Sequence, residues 1–249
     1  MIEVKNVSKY FGNTRVLNNI NTSFEKGKVN LVIGRSGSGK TVLMKCLVGL
    51  LTPDEGNVLY DGRDFYDISD DEKKSIRTEM GMVFQGAALF DSMNIQENVM
   101  FPLNILKDMS KGEKLDRVNF CLERVDLINS NKLFPAELSG GMKKRAAIAR
   151  AIACNPQYLF CDEPNSGLDP KTAMLIDELI VEITHDFGIT TVVNTHDLNS
   201  VITIGEKIAF IYKGDLAWCG SKEEVLTTDN ILLNDFIYAQ PLTQKIRHT

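Results

Sequence analysis

The chain has 249 residues, which is long enough for one large domain or two small ones with a sizeable hydrophobic core. Its 43% hydrophobic and 24% charged residues are ordinary for a globular protein and exclude a disordered or fibrous chain. The 28 Lys and Arg against 33 Asp and Glu give a formal net charge of −5, so the basic excess typical of nucleic-acid-binding proteins is missing and we expect no nucleic-acid partner.

Sequence signals for export and for membrane insertion are also weak. Residues 1–5 lack the apolar region of a secretory signal. The most apolar helical stretch, 42–51, contains Lys45 and is much shorter than the roughly 20 residues needed to cross a bilayer. We therefore expect a cytosolic chain that is neither secreted nor, by itself, membrane-spanning.

The cysteines are expected to be buried, reduced thiols. No two of them have the short spacing of a zinc or redox pair, and each lies in or beside an apolar run, where free cysteine behaves as a small hydrophobic residue. The five are Cys46, Cys121, Cys154, Cys161 and Cys219.

The first part of the chain is predicted to consist mainly of strands. Period-two alternation indicates the first strand, and an unbroken apolar run indicates that the second is buried. The predicted strands are Ile2–Val7, Val29–Ile33, Val58–Tyr60 and Met82–Gln85. A turn at Asp61-Gly62 makes the third strand part of a hairpin, and a helix is expected over 40–51.

Between residues 86 and 155 the β pattern disappears. Two helices are expected there: an amphipathic helix, followed by one that runs from Ser139 through Ala153. The amphipathic helix is predicted by apolar residues at helical spacing, namely Leu115, Val118, Leu122 and Val125. These two helices indicate a helical insertion in an otherwise α/β chain.

Strand patterns return at Tyr158–Cys161, Thr190–Asn194 and Ile208–Tyr212. Strands that alternate with helices predict a mainly parallel, doubly wound sheet. Residues 221–249 indicate only one or two short helices and a tail. The helix between the first two of these strands has one apolar face, formed by Ile176, Leu179, Ile180 and Ile183.

A glycine-rich loop between the second strand and the following helix fits the P-loop pattern. It consists of Gly34, Arg35, Ser36, Gly37, Ser38, Gly39, Lys40 and Thr41. Glycines let successive backbone N–H groups point at phosphate oxygens, and the helix that begins near Lys40 adds the positive end of its dipole. Lys40 should reach the β- and γ-phosphates, and the Thr41 hydroxyl should bind Mg²⁺. The alternative is a chance glycine loop, which arises in roughly one chain of this size per hundred.

Two carboxylates follow the buried strand Tyr158–Cys161. The carboxyl end of such a strand is where an α/β sheet places its chemistry. We expect Asp162 to hold Mg²⁺, directly or through water, and Glu163 to polarise an attacking water as general base. The alternative is a solvated acidic turn.

A serine and two glycines open the helix predicted from Ser139. Ser139 fits an N-cap, and Gly140 and Gly141 leave the first backbone N–H groups of the helix accessible. Alone, these residues are equally compatible with an ordinary capped helix. Their place between the P-loop and Asp162-Glu163 resembles the nucleotide-binding subunit of an ABC (ATP-binding cassette) transporter, and the resemblance covers nearly all of residues 2–221.

The resemblance implies an α/β fold of the P-loop NTPase class, with an ABC-type RecA-like core, an antiparallel β subdomain and an inserted helical subdomain. The nucleotide-binding domain would span 1–225, with the core at 1–86 and 156–225 and the helical subdomain at 87–155. Residues 226–249 would form a C-terminal tail.

The resemblance also implies roles for single residues. Gln85 matches the glutamine that touches Mg²⁺ and the water, and Asp169 matches the aspartate of the family's D-loop at the nucleotide interface. His196 matches the histidine that contacts the γ-phosphate, although a lone histidine after a strand is more often structural. Phe11, or alternatively Tyr10, matches the aromatic residue that stacks on adenine; the alternative for either is a core aromatic.

One position departs from the common family pattern. The signature usually has Gln where this chain has Met142. The segments 136–146 and 85–93 are similar to the ATPase of Mla-type lipid transporters, in which Met142 is expected and which work with a permease and an MCE-domain lipid-binding protein.

The resemblance therefore implies an ATPase that drives phospholipid transport from the cytoplasmic face of the inner (plasma) membrane, bound peripherally to integral-membrane permease subunits and an MCE-domain protein. It implies a head-to-tail homodimer in which ATP and Mg²⁺ at one P-loop meet Ser139, Gly140 and Gly141 of the other chain. The alternatives are the ATPase of another ABC system, such as an amino-acid or lipoprotein transporter, and a soluble ABC ATPase of the iron–sulfur cluster assembly type. DNA-repair relatives are disfavoured because the chain has no sustained heptads.

Overall fold

A computed structural model describes residues 1–238, which contain ten strands and nine α-helices. The strands are β1 Ile2–Phe11, β2 Thr14–Phe24, β3 Val29–Ile33, β4 Glu55–Tyr60, β5 Arg63–Asp64, β6 Met80–Val83, β7 Tyr158–Asp162, β8 Thr190–Thr195, β9 Lys207–Tyr212 and β10 Asp215–Gly220. The helices are α1 Lys40–Leu47, α2 Asp70–Thr78, α3 Ile95–Leu106, α4 Lys111–Arg124, α5 Gly140–Ile152, α6 Pro170–Phe187, α7 Leu198–Ile204, α8 Lys222–Val225 and α9 Ile231–Ile237. The chain divides into two compact units, one formed by residues 1–68 and 192–238, the other by residues 69–191.

In the first unit, an antiparallel sheet has the strand order β2-β1-β4-β5. Strand β3 pairs in parallel with β9, which pairs antiparallel with β10. All five residues of β3 are buried, as expected for a strand covered on both faces. Helix α9 packs the Phe236 ring 5.4 Å from that of Phe210 and so contributes one face, with Leu233, Phe236 and Ile237, to the core of this unit.

In the second unit, β6 and β7 pair in parallel, with Val83 opposite Cys161. Three helices here begin with a serine or asparagine cap that exchanges hydrogen bonds with a glutamate three residues later, an arrangement that satisfies N–H groups of the first turn. The capping pairs are Ser69 with Glu72, Asn94 with Glu97, and Ser110 with Glu113. Helix α5 buries a continuous run from Ala146 to Ala149, and the three alanines in it let neighbouring elements approach the helix closely.

Most of the predicted elements are confirmed, although several boundaries differ. Strand β1 continues to Phe11, beyond the predicted end at Val7, and β4 begins at Glu55 instead of Val58. The helix predicted over 40–51 ends at Leu47, because Gly49 adopts a left-handed conformation (φ 73°) that stops the helix. The strand predicted at Met82–Gln85 is shifted and ends at Val83, so Gln85 lies in the loop that follows. Strands β2 and β10 and helices α2, α3 and α7 were not predicted.

The cysteine prediction is wrong for one residue. All five cysteines are free and four are buried, but Cys219 is exposed. It lies on β10, which contains no fully buried residue and which, in the part of the chain that the structure describes, pairs with β9 alone. Among residues 1–238, no helix is long and apolar enough to cross a membrane.

Candidate nucleotide-binding and catalytic site

The predicted phosphate loop lies in the first unit, between β3 and α1. Gly34 has φ 151°, and a Cβ there would lie 2.3 Å from the carbonyl oxygen of Ile211. Gly39 caps α1 at φ 114°, and its Cβ would lie 3.0 Å from the carbonyl oxygen of Val16. Both positions therefore require glycine, which lets the loop fold tightly against its neighbours.

Lys40 is buried and folds back over the loop. Its Nζ donates hydrogen bonds to the carbonyl oxygens of Gly34, at 2.8 Å, and Arg35, at 3.2 Å. The Ser38 hydroxyl is also buried and has no hydrogen-bond partner among residues 1–238. A buried hydroxyl, an ammonium group and a helix N-terminus at one loop are groups that suit a phosphate chain.

The aromatic candidates lie at the end of β1. Phe11 is 49% exposed and Tyr10 is 36% exposed. Asp54 holds this segment, because its carboxylate accepts a 2.6 Å hydrogen bond from the Tyr10 backbone N–H and pairs with Lys9 Nζ at 3.1 Å. The Tyr10 N–H, and after it Lys9, holds the pKa of Asp54 below its usual value. Sequence reasoning missed Asp54.

His196 lies in the same unit, exposed, between β8 and α7. Its neighbours are fixed by short-range hydrogen bonds: Thr195 Oγ1 accepts from the Asp197 N–H at 3.0 Å, and Asp197 caps α7 by accepting from the Asn199 N–H at 2.9 Å. The backbone on either side of the imidazole is therefore ordered.

In the second unit, the structure brings Gln85 and Glu163 into contact. Gln85 Nε2 donates a 3.0 Å hydrogen bond to Glu163 Oε2. The parallel pairing of β6 with β7 explains this contact. Val83 is paired with Cys161, and Gln85 and Glu163 each lie two positions further along their chain segments. Glu163 adopts a left-handed backbone conformation (φ 47°), which is uncommon for a residue other than glycine.

A buried lysine holds the backbone of the Gln85–Glu163 pair. Lys144 Nζ donates hydrogen bonds to the main-chain carbonyl oxygens of Gln85 and, at 3.4 Å, of Glu163. Burial lowers the pKa of Lys144, and the nearby Cys161 and Glu163 oppose that shift. Nothing in the local sequence marks this lysine, which is the second of three consecutive basic residues.

The serine and glycines predicted to open α5 are confirmed in that structural role. Ser139 Oγ accepts a hydrogen bond from the Met142 N–H at 3.3 Å. A Cβ on Gly141 would lie 2.5 Å from Thr172 Cγ2, so the helix begins in close contact with the first turn of α6. Asp169 caps α6 through the Thr172 N–H at 3.0 Å, and its bonds to Thr172 lower the pKa of its carboxyl.

The predicted magnesium ligands do not form a cluster of acidic, histidine or cysteine side chains. No group of three His, Cys, Asp or Glu side chains gathers as a metal cluster within residues 1–238. Thr41 is exposed at the start of α1 and Asp162 is half-buried at the end of β7. An oxygen ligand of either kind suits Mg²⁺, which usually takes most of its ligands from water and substrate phosphates.

Comparison with known proteins assigns the family. A family model described as ABC transporter matches residues 17–166. The probable ribonucleotide transport ATP-binding protein mkl of Mycobacterium leprae is 39% identical over 236 residues, covering 95% of this chain and 68% of mkl. The methionine import ATP-binding protein MetN of Campylobacter jejuni is 37% identical over 253 aligned residues, covering 95% of this chain and 75% of MetN.

Solved structures agree with this assignment. The dimeric ABC transporter cassette MJ0796 has a TM-score of 0.81 and 35% identity, with 89% of this chain and 99% of that one covered. A post-hydrolysis dimer of the same cassette, bound to ADP and Pi, has a TM-score of 0.80 and 34% identity over the same shares of the two chains. The predicted fold class, the ATPase activity and the use of ATP with Mg²⁺ are thereby confirmed. The chain belongs to the ABC transporter family, as an ATP-binding subunit.

Proposed function

We propose that this subunit powers phospholipid transport between membranes, as in Mla-type systems. The segments 85–93 and 136–146 support this, because both are similar to the lipid branch of the family and include Met142. Met is compatible with the helix cap at this position, because residue 142 contributes its backbone N–H to Ser139 and a side-chain amide is not needed for that bond.

The proposed chemistry assigns a task to each group. Lys40 neutralises charge on the β- and γ-phosphates of ATP, and Phe11 stacks on adenine. Glu163 accepts a proton from water as the water oxygen attacks the γ-phosphorus and the bond to the ADP oxygen breaks. Gln85 keeps the accepting carboxylate oriented through its 3.0 Å hydrogen bond.

Three further assignments complete the proposal. Thr41, Asp162 and Gln85 would hold Mg²⁺, which would supply charge stabilisation at the phosphate oxygens. His196 contacts the γ-phosphate. Ser139, Gly140, Gly141 and Asp169 serve the interface of a homodimer.

An apolar pocket in the second unit is the proposed permease-docking site. It has a volume of about 400 Å³ and lies between β6, α3 and α5. Phe84 and Phe90, from the segment around Gln85, line it, and Phe90 packs 4.7 Å from the Phe101 ring. Arg150 fixes one wall, because its guanidinium donates to the carbonyl oxygens of Ala87 and Ala88, both in the left-handed conformation. An apolar segment of a permease facing the cytoplasm would fit such a pocket.

Recovery from native membranes tests this proposal. We expect the tagged subunit to co-purify with a permease and an MCE-domain protein, and the Phe90→Asp variant to lose both. Phe120→Asp is the matched control, because Phe120 is 40% exposed and Phe90 is 41% exposed. Equal recovery of the permease with both variants would contradict docking at the pocket.

The second candidate is an amino-acid importer, favoured by the 37% identity to MetN over 95% of this chain. In that case the membrane preparation would contain a permease and a solute-binding protein, without an MCE-domain protein or co-purified phospholipid. Recovery of no membrane partner at all would favour the soluble iron–sulfur assembly class.

A further inference from the structure

Lys144 is unusual among the charged residues of α5 because it is buried, with only 6% of its surface exposed. Its neighbours Lys143 and Arg145 are half-buried at the surface of the helix. An ammonium group is costly to remove from water unless hydrogen bonds compensate for the lost hydration. Methionine would fill a similar volume without that cost, so packing alone does not explain a lysine here.

The hydrogen bonds of Lys144 are specific. Its Nζ donates to two main-chain carbonyls, those of Gln85 and Glu163. These are the same two residues whose side chains meet at 3.0 Å. One ammonium group therefore connects the backbones of a pair already joined by its side chains.

The Glu163 backbone has particular need of such support. Its φ of 47° is a conformation that a residue with a Cβ keeps only when surrounding contacts hold it there. The bond from Lys144 is made to the carbonyl of this strained residue, and the lysine itself is fixed in the second turn of the helix that Ser139 caps.

We infer that Lys144 is a positioning residue for ATP hydrolysis, which holds the Gln85–Glu163 pair in register and ties it to the helix that begins at Ser139. This inference rests on the proposed role of Glu163 as general base. Lys144 touches neither water nor nucleotide in this role; it acts by fixing the backbone from which the base projects.

Two substitutions separate this role from packing and from charge. Lys144→Met keeps the volume and removes the donors; we expect kcat to fall about 10- to 100-fold, because small displacements of a base cost rates of that order. The KM for ATP and the affinity for ADP should stay within about threefold, since the phosphate loop is unchanged. Lys144→Gln restores uncharged N–H donors and should recover most of the lost rate.

Lys143→Met is the matched control, and its kcat should remain within about twofold of wild type. Wild-type kcat in Lys144→Met would overturn the inference. So would a loss of ADP affinity as large as the loss of kcat in both Lys144 variants, which would reveal a general folding role.

A double variant tests whether Lys144 acts through Glu163. In the Glu163→Gln background, Lys144→Met should change the residual single-turnover rate by less than about threefold, because the base it positions is already gone. A loss as large as in wild type would overturn the inference and leave the base assignment standing. Wild-type turnover in Glu163→Gln alone would instead refute the base assignment, and the positioning role with it.

Discussion

Gln85 Nε2 and Glu163 Oε2 lie 3.0 Å apart although 78 residues separate them in the chain. The amide can only donate to this carboxylate oxygen, so the bond constrains the direction of the carboxylate without neutralising it. A general base needs both properties, because it must point at its substrate and remain able to accept a proton.

Glu163→Gln should preserve ATP binding and lower hydrolysis, because it keeps the shape of the side chain and removes the basic carboxylate. Loss of a general base costs on the order of 10²–10⁴ in rate. Steady-state turnover and equilibrium ATP binding measure the two effects separately, and the variant should accumulate as an ATP-bound dimer on size-exclusion chromatography. Turnover near the wild-type level would show that another group is the base.

Asp54→Ala should weaken the binding of ATP without weakening the binding of inorganic tripolyphosphate. Asp54 holds the Tyr10 backbone and Lys9, and Lys9 lies 5.7 Å over the Phe11 ring, so its loss releases the aromatic segment and leaves the phosphate loop intact. We expect about a tenfold rise in the Kd for ATP, the order of one lost stacking contact.

Asp67→Ala, in a loop of the same unit, is the control for Asp54→Ala. Phe11→Ala and Tyr10→Ala, measured in the same two titrations, identify which ring stacks on adenine. Parallel weakening of ATP and tripolyphosphate binding by Asp54→Ala would contradict a role limited to the base-binding segment.

Met142→Gln should change ATPase activity by less than about tenfold, under 1.4 kcal/mol in the barrier. The backbone N–H of residue 142 makes the bond to Ser139, and this bond is independent of the side chain. Steady-state hydrolysis, with thermal unfolding as a check of the fold, measures the effect. A collapse of activity in a folded protein would mean that the Met142 side chain packs against a partner surface.

Mixing Lys40→Ala with Ser139→Arg should restore part of the activity that each variant lacks alone. Each homodimer has two damaged sites, whereas in the mixed dimer one composite site carries both lesions and the other carries neither. Arg is chosen because its bulk blocks the interface as well as removing a hydroxyl. ATP hydrolysis after subunit exchange measures the recovery, and full activity of Ser139→Arg alone would contradict the dimer-sandwich arrangement.

The sequence predicts the phosphate loop and the Asp162-Glu163 strand end because their chemistry is local. Glycines, a lysine and a hydroxyl occur within eight consecutive positions of the loop, and the carboxylates directly follow an apolar run. Patterns of this kind are visible without knowledge of the tertiary structure.

Asp54 and Lys144 were missed for the opposite reason. Asp54 acts on Tyr10, 44 residues earlier, and Lys144 on Gln85, 59 residues earlier. Strand β2 was missed because it contains several asparagines, which are depleted in strands; Asn19 even takes a left-handed φ of 47° at an irregularity in the pairing with β1. The contacts of Asp54, Lys144 and the β2 asparagines become visible only in the folded structure.

The cap of α5 has a consequence for how that helix can meet an anion. Ser139 Oγ uses a lone pair to accept the Met142 N–H, and this leaves the hydroxyl hydrogen available to donate. Aspartate or asparagine would cap the helix as well. Aspartate, however, would turn a negative charge toward the same end, and asparagine would place its donors on a separate nitrogen. In the proposed dimer, a hydroxyl would let one atom cap the helix and donate to a phosphate oxygen at the same time, so nucleotide binding and release would not require the helix end to unwind.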